Sequence, residues 1–232
     1  MHLGFSVLVI CLVCFIVYIV VPDIILYRLG IGTWKRHIGP GVALTFDDGP
    51  DPQYTPRVLE VLEKYNATAT FFLVGAKVEQ HPDLVGAILQ AGHQIGAHSQ
   101  RHVNARYLSP WGTWREWNNS INSIEKVSAK RVDFVRPPWG AFNAMLWLWC
   151  VVKRKRPVYW SADGEDWFAD HTPEMIATRA LRHVSQGSTI LLHDSGGEAG
   201  APANTIAALE FMCEALLTQY KLPIVRLEFP AI

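Results

Sequence analysis

The chain has no net charge and few cysteines. Its 21 Lys+Arg residues balance 21 Asp+Glu, so no overall field draws it to a polyanion, and nucleic acid is not an expected partner. The four cysteines are too few and too scattered for a disulfide framework or a zinc knot. Cys11 and Cys14 fall in an N-terminal apolar run, while Cys150 and Cys213 sit in apolar helix-like stretches that suit buried free thiols. No short repeat or low-complexity segment is present, which excludes a solenoid. The N-terminus also lacks a basic n-region and a small-x-small cleavage site, the marks of a removable signal peptide.

What is present begins with that run. From Leu3 to Val21 there is no charged residue, about the length needed to cross a bilayer as a helix. An uncleaved transmembrane anchor over 1–27 is therefore expected, followed by a Gly-containing linker over 28–40 and one catalytic-sized domain over 41–232. Arg28, Lys35 and Arg36 follow the anchor, and a literal positive-inside reading would leave the domain in the cytoplasm. The basic run Lys153–Arg156 reads as a solvated helix end.

Beyond Gly41, short β-like runs alternate with helical ones. Strands are expected at 42–46, 67–74, 93–97, 132–135, 157–161, 189–192 and 223–227. Helices are expected at 55–65, 82–91, 114–129, 144–152, 173–184 and 205–220. Alternation of this kind implies a parallel sheet. The fold expected is α/β: a distorted, incomplete (β/α) barrel of about seven parallel strands behind one transmembrane helix, with an open doubly wound sheet as the alternative.

The strand ends carry the chemistry. Successive apolar runs terminate at Asp47 and Asp48, at His98, at Arg136, at Asp163 and at His193. In β/α barrels those ends face one mouth. Two adjacent buried carboxylates call for a compensating cation. His98 and His102, four apart, can turn two imidazoles toward one ion, and Asp48 would complete a set of three ligands with a position left for water. His93, His171 and His183 lack such partners and read as structural or surface residues. Trp114 and Trp117, at helical spacing, read as core.

Five segments in order, Thr45-Phe46-Asp47-Asp48-Gly49-Pro50, His98-Ser99-Gln100-Arg101-His102, Arg136-Pro137-Pro138-Trp139-Gly140, Asp163-Gly164-Glu165-Asp166-Trp167 and Leu191-Leu192-His193, resemble the motifs of the polysaccharide deacetylase family. That family includes NodB-type chitooligosaccharide, peptidoglycan, chitin and acetylxylan deacetylases, and the resemblance runs from Gly41 to Pro230. It differs in having Trp139 where many relatives carry Tyr. The resemblance implies a divalent metal, commonly zinc with cobalt, nickel or manganese as alternatives, on Asp48, His98 and His102. It implies Asp47 as general base, oriented by Arg136, and His193 as general acid, positioned by Asp163. Pro138, Trp139, Gly140, Trp167 and Leu191 would then contact substrate, with a backbone N–H near Trp139 facing the oxyanion. The implied substrate is an N-acetylated polysaccharide such as peptidoglycan or chitin. An acetylated xylan, a small cyclic amide, or silent sugar binding on the same fold are the rival readings. Because relatives act on walls or extracellular polymers, the resemblance places the domain outside the cytoplasm, against the charge reading of the anchor.

Overall fold

The computed structural model describes residues 2–230. Met1, Ala231 and Ile232, the outermost residues of the expected anchor and domain, lie outside the described residues. The N-terminal helix α1 (His2–Phe15) continues through two wider-turned π-helical stretches, Ile16–Val20 and Asp23–Arg28. Phe5–Leu26 is long and apolar enough to cross a membrane, with a mean hydropathy of 3.0.

The domain then runs β1 (Val42–Asp47), α2 (Thr55–Lys64), β2 (Thr70–Leu73), α3 (Gly75–Gln80), α4 (Pro82–Gln90), β3 (Gln94–Ala97), α5 (Pro110–Ser128), β4 (Phe134–Val135), α6 (Ala144–Lys153), β5 (Arg156–Pro157), β6 (Ala162–Asp163), α7 (Pro173–Leu181), β7 (Thr189–His193), α8 (Ala201–Thr218) and β8 (Ile224–Val225). Every strand pairing is parallel, in the order β5-β4-β3-β2-β1-β7-β6, with β8 added beside the start of β1. The chain passes from β5 to β6, the two edges, through only Val158–Ser161. Laid flat, seven strands would separate those edges by about 29 Å, whereas five residue steps reach at most about 17 Å. The sheet must therefore curl until its edges approach without pairing. This is the incomplete barrel expected, rather than an open doubly wound sheet.

The differences in element content are local. A single strand was expected over 157–161. Instead two two-residue strands flank that stretch, because it crosses the barrel seam and has no single neighbour to pair with. Helix α3 was not expected, and α5 and α8 each begin four residues earlier than their apolar periodicity suggested. Pro at the start of both helices sets a helical φ and gives up an N–H that has no partner there.

The larger part of the core lies between sheet and helices and includes Leu44, Phe46, Phe71, Leu73, Trp117, Trp149 and Leu192. A smaller cluster, Ala43, Phe72, Phe134, Val158 and Leu227, fills the barrel interior. Gly96 makes room for it: a Cβ there would stand 2.6 Å from the Phe72 ring. Trp117 is buried against Trp149, as its helical spacing suggested, with ring centroids 5.7 Å apart. Cys150 and Cys213 are buried free thiols, and burial pushes the Cys213 thiol up to about 12.

The stretch 28–40, expected to be a linker, is pinned to the domain. Trp34 bridges Val158, and Arg36 bridges Ser188. The Arg36 guanidinium also donates to Ser185 Oγ at 2.7 Å and to Gln186 O at 2.6 Å. Above it, Leu26 is buried in the core, Asp23 pairs with Arg106, and Tyr18 Oη donates to Leu108 O at 3.0 Å.

Candidate active site

β1 is buried along its whole length, because helices cover one side of the sheet and the barrel interior the other. Its register with β7 sets Asp47 beside His193 on the last rung. The next residue, Asp48, takes a left-handed backbone with φ 73°, which turns its carboxylate away from the direction the strand pleat would give. Gly196, after β7, crowds that carboxylate so closely that a Cβ would meet Asp48 Oδ2 at 2.3 Å. Left-handed backbone recurs at His102 (φ 53°) and Trp139 (φ 55°), neither of them glycine. Such conformations cost about 1–3 kcal/mol each and gather where a side chain must be aimed.

Asp48, His98 and His102 converge, with candidate ligand atoms within 4.8 Å of one another. His98 Nε2 lies 3.2 Å from Asp48 Oδ1, and His102 Nε2 lies 2.9 Å from the same oxygen. His98 Nδ1 is 2.6 Å from the carbonyl oxygen of Arg136. A carbonyl can only accept, so Nδ1 carries the hydrogen and a neutral ring turns its Nε2 lone pair toward the carboxylate. Asp48 Oδ1 has no hydrogen-bond donor among the described residues, although it is buried. The His98 lone pair, the His102 Nε2 and an anion converging at these distances fit a cation between them, and the ring N–H on a backbone carbonyl is the usual outer support of a histidine ligand.

Asp47 faces the same space from the other side, its Oδ2 3.8 Å from His98 Nε2. Its Oδ1 accepts from Arg136 Nη1 at 2.8 Å. Arg136 is wholly buried, and every arm of it is used: Nε to Val158 O, Nη2 to Tyr159 O, Nη1 also to Thr45 Oγ1, with the plane 4.1 Å from the Phe72 ring centroid. The guanidinium thus fixes Asp47 from inside the barrel, in keeping with its expected role as the orienting residue.

His193 stands across the cavity, and the carboxylate on it is Asp166, not Asp163. Asp166 Oδ1 lies 2.8 Å from His193 Nδ1, and Asp166 Oδ2 accepts from the His193 backbone N–H and from Thr205 Oγ1. Burial opposes the charged imidazole, but the negative charges of Asp166, Asp48 and Asp47 prevail and raise His193 to about 9. Asp163 instead accepts from Trp160 Nε1 at 3.0 Å, and burial raises its carboxyl. The reason is geometric. Asp163 ends β6, where the side chain follows the strand pleat, while Asp166 lies three residues into the following loop, which folds back over β7. The segment Asp163-Gly164-Glu165-Asp166-Trp167 held both acids, and adjacency to Trp167, itself 5.7 Å from His193 ring to ring, is the signal that favours the second.

Asp47, Asp48, His98, His102 and His193 line one cavity of about 500 Å³ with Pro137, Trp139, Trp160, Trp167, Leu191 and Gly197. Trp139, Trp167 and Leu191, expected as contacting residues, are on that lining. Trp139 is 61% exposed at the rim, its ring 4.6 Å from that of His102. Pro138 and Gly140 are buried off the lining, and the Gly140 carbonyl is taken by Tyr159 Oη at 2.9 Å. They shape the turn that presents Trp139. Trp160 and Pro137 were not foreseen as lining residues. Of the remaining histidines, His93 accepts from the Ala69 N–H, and burial lowers it to about 4, so it stays a neutral core residue.

Known proteins are similar to this chain in sequence and fold. The polysaccharide deacetylase family model matches residues 35–150. A peptidoglycan-N-acetylglucosamine deacetylase of Bacillus cereus is 37% identical over 72% of this chain and 78% of its own. A chitooligosaccharide deacetylase of Sinorhizobium fredii is 31% identical over 76% of this chain and 86% of its own. The crystal structure of the Bc1960 peptidoglycan N-acetylglucosamine deacetylase, in complex with an N-oxidanyl-benzamide, superposes with a TM-score of 0.79 at 28% identity, covering 87% of this chain and 93% of that one. With its curled parallel sheet and all five motifs gathered around one cavity, this chain belongs to the polysaccharide deacetylase family and is a hydrolase of that kind.

Proposed function

We propose that the protein hydrolyses N-acetyl groups from amino sugars of a peptidoglycan- or chitin-like polysaccharide, releasing acetate, with a divalent ion, most naturally zinc, held by Asp48, His98 and His102. The observation that carries the metal reading is the convergence of two imidazole Nε2 atoms, that of His98 left as a lone pair by its Nδ1 partner, on one buried carboxylate oxygen. Bound there, a divalent ion would polarise an amide carbonyl and acidify water beside it.

The chain's own residues supply the proton transfers. Asp47, oriented by the buried Arg136, accepts the proton of the attacking water. His193 keeps Nδ1 on Asp166, which leaves Nε2 for the cavity. With its pKa raised to about 9 it is protonated at neutral pH and can deliver a proton to the departing sugar amine, which leaves poorly without one. Trp139 and Trp167 offer flat apolar faces suited to pyranose rings.

We also propose that the N-terminal helix is retained as a membrane anchor with the domain outside the cytoplasm. The packing of its lower half supports retention, since removal would strip the core of Leu26 and Arg106 of its ion-pair partner. The direct test is acetate release by the purified full chain on chitooligosaccharides, peptidoglycan and acetylxylan, before and after chelation. Release from the first two is expected, abolished by a strong chelator and restored by a divalent ion. Full activity in protein shown by elemental analysis to be metal-free would end the metal reading, and release from acetylxylan alone would end the amino-sugar reading.

A further inference from the structure

Helix α6 presents an apolar face that no part of the described chain covers. Trp147, Leu148, Val151 and Val152 are 49%, 45%, 59% and 56% exposed. Their spacing places them on one side of the helix, opposite the buried Leu146, Trp149 and Cys150. A surface helix normally turns polar residues outward; here the only charged side chain in the whole helix is the terminal Lys153, followed by the exposed Arg154.

The neighbour of α6 identifies what covers it. α6 packs against Ile16–Val20, which lie within the apolar span Phe5–Leu26. The 14 residues of α1 alone rise only about 21 Å, short of the roughly 30 Å hydrocarbon core of a bilayer. A crossing helix must therefore use Ile16–Val20 as well, so lipid that reaches this stretch reaches the helix leaning on it. Asp23, paired with Arg106, marks where the charged boundary begins. Two further exposed aromatics, Tyr107 and Trp111, flank Leu108, the residue bonded by Tyr18, and aromatic side chains of this kind favour the membrane interface.

We propose that the exposed face of α6 is a lipid-contact surface, which lies in the interfacial layer beside the anchor while Lys153 and Arg154 meet anionic headgroups. An apolar face ending in basic residues is the pattern of an interfacial helix, and basic side chains near an anionic leaflet add attraction. The basic run at 153–156 thus divides: Lys153, its ammonium 5.9 Å from the Trp114 ring centroid, and Arg154 are exposed, whereas Lys155 is held by Glu125 and Arg156 bonds the Pro230 carbonyl. The surface lies close to the catalytic mouth, since the N-cap of α6, Asn143, donates to Ala105 O in the loop that follows His102.

The proposal rests on the anchor spanning a bilayer, and one experiment separates the two. The full chain is reconstituted into phosphatidylcholine–phosphatidylglycerol vesicles, with and without bromine on the acyl chains, and floated on a density gradient. Emission from Trp147 is taken as the difference between the wild type and Trp147→Phe. Emission from a second point on the same face is gained by adding Val151→Trp to that variant. The expected result is that protein floats, and that both differences lose most of their intensity to bromolipid while resisting aqueous iodide. Protein that fails to float at high salt overturns the anchor. Floating protein in which both difference signals yield to iodide, or to neither quencher, overturns the lipid surface alone. Neither outcome touches the deacetylase reading, because no step of the assay uses activity.

Discussion

Asp47 and Asp48 carry the same side chain, and the left-handed backbone of Asp48 sends them to different partners. Asp48→Asn keeps the shape but removes the anionic oxygen that the two imidazoles face, so metal content should fall and activity with it. Asp47→Asn leaves those three residues in place. At saturating metal its turnover should drop by about a hundred- to ten-thousand-fold, the ordinary size of general-base catalysis, while elemental analysis still finds the ion. Rescue of Asp47→Asn by excess metal would exchange the two roles. A second pair separates Asp166 from Asp163. His193 is held at about 9 chiefly against burial by Asp166, so activity that needs its proton should decline as pH rises through that value. Asp166→Asn removes the charge that favours the imidazolium, and the basic limb of kcat/KM should move to lower pH. Asp163→Asn, whose partner is Trp160, should leave that limb where it is. Most of this site was legible because Asp47, Asp48, His98 and His193 sit where apolar runs break, a one-dimensional signal. The choice between Asp163 and Asp166 was not, because it depends on how a loop folds back across β7, and Trp160 comes to the cavity only through the curl of the sheet.

At the scale of elements, α5 and α6 are joined by large side chains, of which helical spacing marks Trp117 as core rather than sugar platform. Trp117 and Trp149 are almost fully buried against each other, and Trp149 Nε1 donates to Asn118 Oδ1 at 3.0 Å. Trp117→Ala should therefore cost about 3–5 kcal/mol of stability, the usual loss for a buried aromatic, read as a lower urea midpoint. KM for any glycan should be unchanged under conditions where the variant stays folded. Trp139→Ala is the converse: its ring is exposed at the rim and supports no core, so the urea midpoint should hold while KM rises. Helical periodicity distinguished these two kinds of tryptophan. It could not show that residues 157–161 would split into two strand edges, because nothing in five residues says that they cross a seam.

For the whole molecule, the apolar N-terminus was plain and its orientation was not, since Arg28, Lys35 and Arg36 argued one way and the expected substrate the other. The structure gives Arg36 a second reason to be there, its bonds to Ser185 and Gln186, which weakens it as a topological signal. Protease added to intact cells should accordingly remove the catalytic domain. Protection until the membrane is breached would place the domain inside. The pinning of residues 28–40 has a consequence for where such an enzyme can work. Thirteen residues of free coil would let the domain roam about 20 Å farther from the N-terminal helix; bridged at Trp34 and Arg36, they lend it no tether. A domain of this size is roughly 40 Å across, and that becomes its whole reach. Held by the proposed anchor and acting on the proposed wall polymer, it would search by drifting laterally in the plane of the membrane, treating strands as they emerge beside it and leaving older, outer layers untouched, so that a wall built past it would carry a gradient of acetylation with depth.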